Sequence, residues 1–285
     1  MKGIIAFFKG VGIRNVKPAV YAWFFNFFFS LFIYFGYYWV FSAAAGKSKI
    51  AADVTGEIGI FTFLADIARN HSGGLSLLLL LTLFAAILFF LVSIFVAGGI
   101  YSVLVGDERT TFSNLIASSV ENFFSMIKIF LVNILNWAAA LVIPGILLFL
   151  FFKSKSLALN ETALQVFSYI WMAITLLIFV IAAAIYDLSR VFKLKEDRNV
   201  FYSLKKAIIF TFTNKLDLAV VFLLYVVFLL VLFLVYVIFN NFLEDMLYVV
   251  FLFMIYQVFI LVRYFLKVVV MRAEIHLTES TGISG

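Results

Sequence analysis

The side chains in this chain that could do chemistry are few, and their spacing does not assemble a catalytic set. Two histidines occur, His71 and His276. The element pattern puts them on opposite sides of a membrane, so they do not share a metal or haem, and no metal or cofactor site is expected. Cysteine is absent, which removes disulfides, thiolate metal sites and cysteine nucleophiles. No H-E-x-x-H, G-x-S-x-G or Walker A pattern occurs. An intramembrane aspartyl pair needs two facing carboxyl groups at depth. Asp107, Asp187 and Asp217 instead fall at helix ends, where Asp187 has Arg190 one turn away as an ion partner. Glu57, Asp66, Arg69 and His71 form a loose polar group without metal-ligand spacing. No catalytic residues are assigned, and the chain is not expected to be an enzyme.

The elements that carry these residues are apolar. The composition is 66% hydrophobic and 13% charged, with a mean hydropathy of +1.16; soluble domains are about 45–50% apolar and about 25% charged. Six stretches lack Asp, Glu, Lys and Arg: Pro18–Gly46, Ser72–Gly106, Ile129–Phe152, Thr162–Tyr186, Leu218–Leu243 and Met246–Val262. A bilayer crossing needs about 20 apolar residues. The expected fold is therefore all-α: a polytopic membrane protein with six transmembrane helices and amphipathic helices on the cytoplasmic side. An N-terminal interfacial helix is expected over residues 1–17, the six-helix transmembrane domain over 18–277, and a flexible tail over 278–285. The first apolar run is too long for a secretory leader, whose core is about 7–15 residues, so a retained first span is expected.

Charge sets the expected orientation. Most of the 21 Lys and Arg fall on one side of a six-span layout, which places both termini in the cytoplasm. The net charge of +6 reads as a topology signal and contact with anionic lipid, not as nucleic-acid binding.

Polar residues within the spans are sparse. Asn26, Asn133, Asn136 and Gln257 can hydrogen-bond across helices or form a small polar niche. No acid or base is expected near the bilayer centre, which argues against ion-coupled transport. Pro144-Gly145 in span 3 is expected to kink the helix or open a local backbone site. Arg263 and Lys267 are expected to snorkel from the end of span 6.

The most specific pattern is a duplication. Val96-Ala97-Gly98-Gly99-Ile100-Tyr101 closes span 2, and Ile181-Ala182-Ala183-Ala184-Ile185-Tyr186 closes span 4. Each is followed by two acids and an arginine, Asp107-Glu108-Arg109 and Glu196-Asp197-Arg198, then by an amphipathic stretch into the next span. Both blocks run in the same sense, as parallel repeats. Span 6 with the N-terminal helix and span 1 extends the pattern to a third unit. The small residues Ala97, Gly98, Gly99, Ala182, Ala183 and Ala184 would let spans 2 and 4 pack tightly near the inner leaflet.

The layout resembles a broad set of uncharacterised bacterial six-helix membrane proteins, including membrane domains found beside some glycerophosphodiester phosphodiesterases. The resemblance rests on Gly98-Gly99-Ile100-Tyr101, on Asp187 with Arg190, and on Arg263-Tyr264-Phe265. It implies a bacterial inner-membrane location and no established activity; the phosphodiesterase catalytic domain is not in this chain. Two functions are expected to compete. One is a non-catalytic subunit that meets lipids and other membrane proteins or a second copy of itself. The other is a permease-like subunit driven by a separate ATPase, for a lipid-like substrate, with Thr111–Ser125 and Asn199–Phe212 as coupling helices.

Overall fold

A computed structural model describes residues 2–45, 72–107, 110–154, 161–243 and 249–281. The described residues form eight α-helices and no strands. In chain order these are α1 (Lys2–Gly10), α2 (Val16–Ala45), α3 (Ser72–Val105), α4 (Phe112–Ser154), α5 (Glu161–Glu196), α6 (Val200–Thr213), α7 (Lys215–Leu243) and α8 (Val249–Ser280), with a 3-10 turn at Ile13–Asn15. Six of them, α2, α3, α4, α5, α7 and α8, are long and apolar enough to cross a membrane. The polar group Glu57, Asp66, Arg69 and His71 lies outside the described residues.

Several of these helices run past the uncharged stretches. Intrahelical hydrogen bonding continues wherever the side chains permit it, so charge does not mark the helix ends. The helix α5 runs ten residues past Tyr186 to Glu196, and α8 runs past Arg263 and Lys267 to Ser280. That end of α8 extends beyond the start of the segment expected to be a loose tail; Thr278 there is buried and accepts a hydrogen bond from Lys195 at 2.8 Å. The helix α4 continues through Pro144.

The two blocks with the similar sequence pattern form different helices. The first amphipathic stretch, from Phe112, is continuous with the span that follows it in α4. The second is a separate helix, α6, closed by Asn214, whose N–H bonds the Phe210 carbonyl at 2.9 Å before α7 begins. Both blocks turn on an aspartate in the left-handed region, Asp107 (φ 50°) and Asp197 (φ 45°). Aspartate tolerates that region better than most residues, so it can stop a helix where glycine is absent. Lys193 donates to exposed Asp197 at 2.7 Å, and this bond holds the carboxyl below its ordinary range.

The chain divides into two compact units. One comprises residues 22–94, where α2 and α3 run antiparallel: the rings of Phe29 and Phe89 lie 5.2 Å apart, and the Tyr37 and Thr82 hydroxyls share a hydrogen bond. The other comprises residues 1–21 and 95–285 and holds a core built from α1, α5, α6, α7 and α8. In that unit α1 lies antiparallel along α8, with Lys2 beside Ser280 and Gly10 beside Val269. Its buried face is Gly3, Ala6, Phe7 and Gly10, spaced by three and four residues. Phe7 is thus taken into the protein, whereas Ile4, Phe8 and Val11 remain exposed. Asp217, in the first turn of α7, accepts the Gly3 N–H at 2.7 Å and so caps α1 from another helix.

Candidate functional site: a buried charge cluster

Three helices bring ionisable groups into the interior. Asp187 and Arg190 lie one turn apart on α5. Lys267 and Glu274 lie two turns apart on α8, which runs parallel to α5. Tyr101 comes from the end of α3. Asp187, Arg190, Glu274 and Tyr101 are all buried.

Asp187 is the hub. Lys267 Nζ donates to its Oδ2 at 2.6 Å, and Arg190 Nη1 to its Oδ1 at 3.4 Å. Lys267 therefore turns inward to a carboxylate, which departs from the expected snorkelling. The carboxylate already carries one guanidinium, so it offers Lys267 a second, stronger bond inside the protein. Arg190 also lies over the Tyr186 ring, 3.8 Å from its centroid, and donates to the Tyr186 hydroxyl. The Tyr101 ring sits on it as well, 5.6 Å from the centroid. Tyr101 and Tyr186 thus converge on a single guanidinium, a cation–π arrangement.

Glu274 is the unusual member. It is 0% exposed, and both carboxylate oxygens lack a hydrogen-bond partner. Lys267, Arg190 and Asp187 are the charges that act on it. Two bases and two acids make the set formally neutral, but Asp187 takes the direct contacts. Arg190 Nε also lacks a partner, and the Tyr101 hydroxyl is directed toward the Asp187 carboxylate. A buried group without a partner costs about 1–3 kcal/mol, more when charged. Glu274→Gln removes a charge that makes no hydrogen bond but balances the second base, so it is expected to lower thermal stability in detergent by about 1 kcal/mol, less than a broken direct pair. No loss at all would mean that the negative charge of Glu274 does not help hold the bases in place. The arrangement can clamp α5 to α8 through charge.

Further ion pairs fasten the same ends. Arg272 on α8 donates to Asp107 at 2.6 Å and to the Leu104 carbonyl, tying α8 to the end of α3. Lys206 on α6 reaches Glu196 at the end of α5.

The small residues and the polar candidates fall elsewhere. A Cβ on Gly99 would meet the Leu115 carbonyl oxygen at 2.6 Å and also the Ser119 hydroxyl; one on Gly98 would meet Met126 Cγ at 3.0 Å. Both glycines thus face the start of α4. Ala182 and Ala184 are buried, and Asn136 Nδ2 donates to the Ala182 carbonyl at 3.1 Å, joining α4 to α5. Asn133 is buried but donates to Ile129 in its own helix at 2.9 Å. Asn133 and Asn136 therefore spend their amide N–H groups on carbonyls. Asn26 belongs to the unit of residues 22–94, and Gln257 is half-buried on α8. Among the described residues no group of three or more His, Cys, Asp or Glu side chains is placed to hold a metal.

The residue missed by sequence reading is Glu274, together with the inward turn of Lys267. A signal was present: the seven-residue spacing of Lys267 and Glu274 puts them on one helix face. Searches against family models, curated proteins and solved structures return no match.

Proposed function

We propose that this chain is a non-catalytic, multi-pass membrane subunit, a scaffold or accessory component, set in a bacterial inner membrane with both termini in the cytoplasm. The observation that carries this reading is the use of its buried charges. Asp187 pairs with both Arg190 of its own helix and Lys267 of α8, an arrangement that ties α5 to α8 and leaves little of the carboxylate free for a substrate. The close contact of Gly99 with α4 has the same character. The lipid-facing surface and the outer faces of α1 and α6 then meet lipid and other membrane chains.

In this reading the blocks ending at Tyr101 and Tyr186 are parallel repeats, supported by their matching left-handed aspartates. The helix α1 completes a third unit: it packs on α8 as α6 packs on α5. It rests its exposed Ile4, Phe8 and Val11 in the interfacial layer.

Extraction in a mild detergent followed by identification of retained proteins tests the reading. A stoichiometric partner, or a stable homo-oligomer, is the expected result. A lone monomer that never associates on reconstitution would sink it. A second reading, the permease-like subunit, draws support from α6, a separate helix with Phe201, Ile209 and Phe212 exposed. It requires an ATPase to be the partner recovered, with cross-links from α6. The absence of native cysteine allows single-cysteine labelling there without background.

A further inference from the structure

A groove of about 320 Å³ runs between α1 and the last turns of α8, lined by Lys2, Ile5, Lys9, His276, Glu279 and Ser280. We infer that this groove binds an anionic phospholipid, its headgroup phosphate held by Lys2 and Lys9 and its acyl chain lying along Ile5.

The charge distribution supports an anion. Lys2 and Lys9 are both exposed and stand two helical turns apart, about 10 Å along the axis, on one flank of α1. Two flexible lysine side chains can close that distance onto one phosphate-sized group. Among the described residues Lys2 makes one polar contact, a 3.4 Å one with the Ser280 carbonyl. Lys9 has no ion pair among the described residues. The carboxylate in the groove does not cancel them, because Glu279 is occupied on both oxygens: Oε1 lies 3.5 Å from Lys195 Nζ, and Oε2 lies 3.2 Å from His276 Nδ1.

The setting supports a lipid over a free anion. The groove lies between α1, whose chain continues into the first span at Val16, and the last turns of α8, which continue the last span as far as Ser280. It is therefore on the side of the membrane domain where α1 and the end of α8 meet. Ile5 is 54% exposed in the groove wall, and Ile4 and Phe8 continue the apolar surface around the helix. A ligand that is anionic at one end and apolar at the other matches both features.

Native mass spectrometry of the full chain in detergent tests this, titrated with phosphatidylglycerol, phosphatidylcholine or inorganic phosphate. We expect phosphatidylglycerol to be retained over phosphatidylcholine, with Lys2→Gln/Lys9→Gln weakening it about tenfold. Lys2→Arg/Lys9→Arg is expected to restore binding, which separates charge from any loss of α1 docking. Equal retention of both lipids, an unchanged affinity in the glutamine double variant, or failure of the arginine pair to bind would each overturn the inference. Displacement of the lipid by millimolar inorganic phosphate would also overturn it, by making the site one for a free anion.

Discussion

Lys267→Met is expected to destabilise the protein in detergent by about 2–3 kcal/mol, and the double variant Lys267→Met/Asp187→Asn to recover most of that loss. Removing one partner of a buried pair costs about 3–5 kcal/mol, because the other charge is stranded. Lys267 keeps 37% of its side chain exposed, so solvent screening brings the figure down. In the single variant two carboxylates, Asp187 and Glu274, face one guanidinium. In the double variant only Glu274 and Arg190 remain, and the balance returns. Asparagine also retains an acceptor for Arg190. Thermal melts of the four proteins in one detergent supply the cycle. Strict additivity, with the double variant worse than either single, would show that Asp187 and Lys267 do not hold α5 to α8 through each other.

The reason this cluster was only half legible is geometric. Asp187 with Arg190 is a contact within one helix turn, and the sequence displays it directly. Asp187 with Lys267 joins residues 80 apart, and no local pattern encodes that. Lys267 follows an apolar run, where a lysine normally reaches for headgroups, so its local context points to snorkelling. Only the parallel packing of α5 and α8 gives it a nearer carboxylate. The membrane-crossing helices were legible because each depends on its own composition over about 20 residues. Their ends were not: α5 and α8 extend past the charged residues that follow their apolar runs, and Asp187, Arg190 and Lys267 among these find partners inside the protein. The Gly98-Gly99 pair was legible as a place of close approach, while the surface it approaches, Leu115, Ser119 and Met126 of α4, depends on how the chain turns at Asp107.

That close approach gives the second large effect, and it is one of sign. Alanine is worth about 1 kcal/mol more than glycine inside an exposed helix, so Gly→Ala is stabilising wherever there is room. At Gly145 a Cβ would meet nothing within 4 Å, and Gly145→Ala is expected to stabilise by about 0.5–1 kcal/mol. At Gly99 the same methyl meets the Leu115 backbone oxygen at 2.6 Å. Backbone cannot turn aside as a side chain can, so α3 and α4 must separate. Overpacking of this kind costs about 1–3 kcal/mol, and Gly99→Val more, since a branched side chain has no room at all. Gly98 is intermediate, because its neighbour Met126 is flexible and can swing away. The order of thermal stability is therefore Gly145→Ala above wild type, then Gly98→Ala, then Gly99→Ala, then Gly99→Val. Removing the Ser119 hydroxyl relieves only part of the Gly99→Ala clash, because the Leu115 carbonyl stays. Tyr101 follows Gly99 by two residues, so a displaced α3 also draws that ring away from Arg190. A Gly99→Ala protein that melts like wild type would mean that α3 does not approach α4 through this face, and the convergence of the two tyrosines on Arg190 would lose its support.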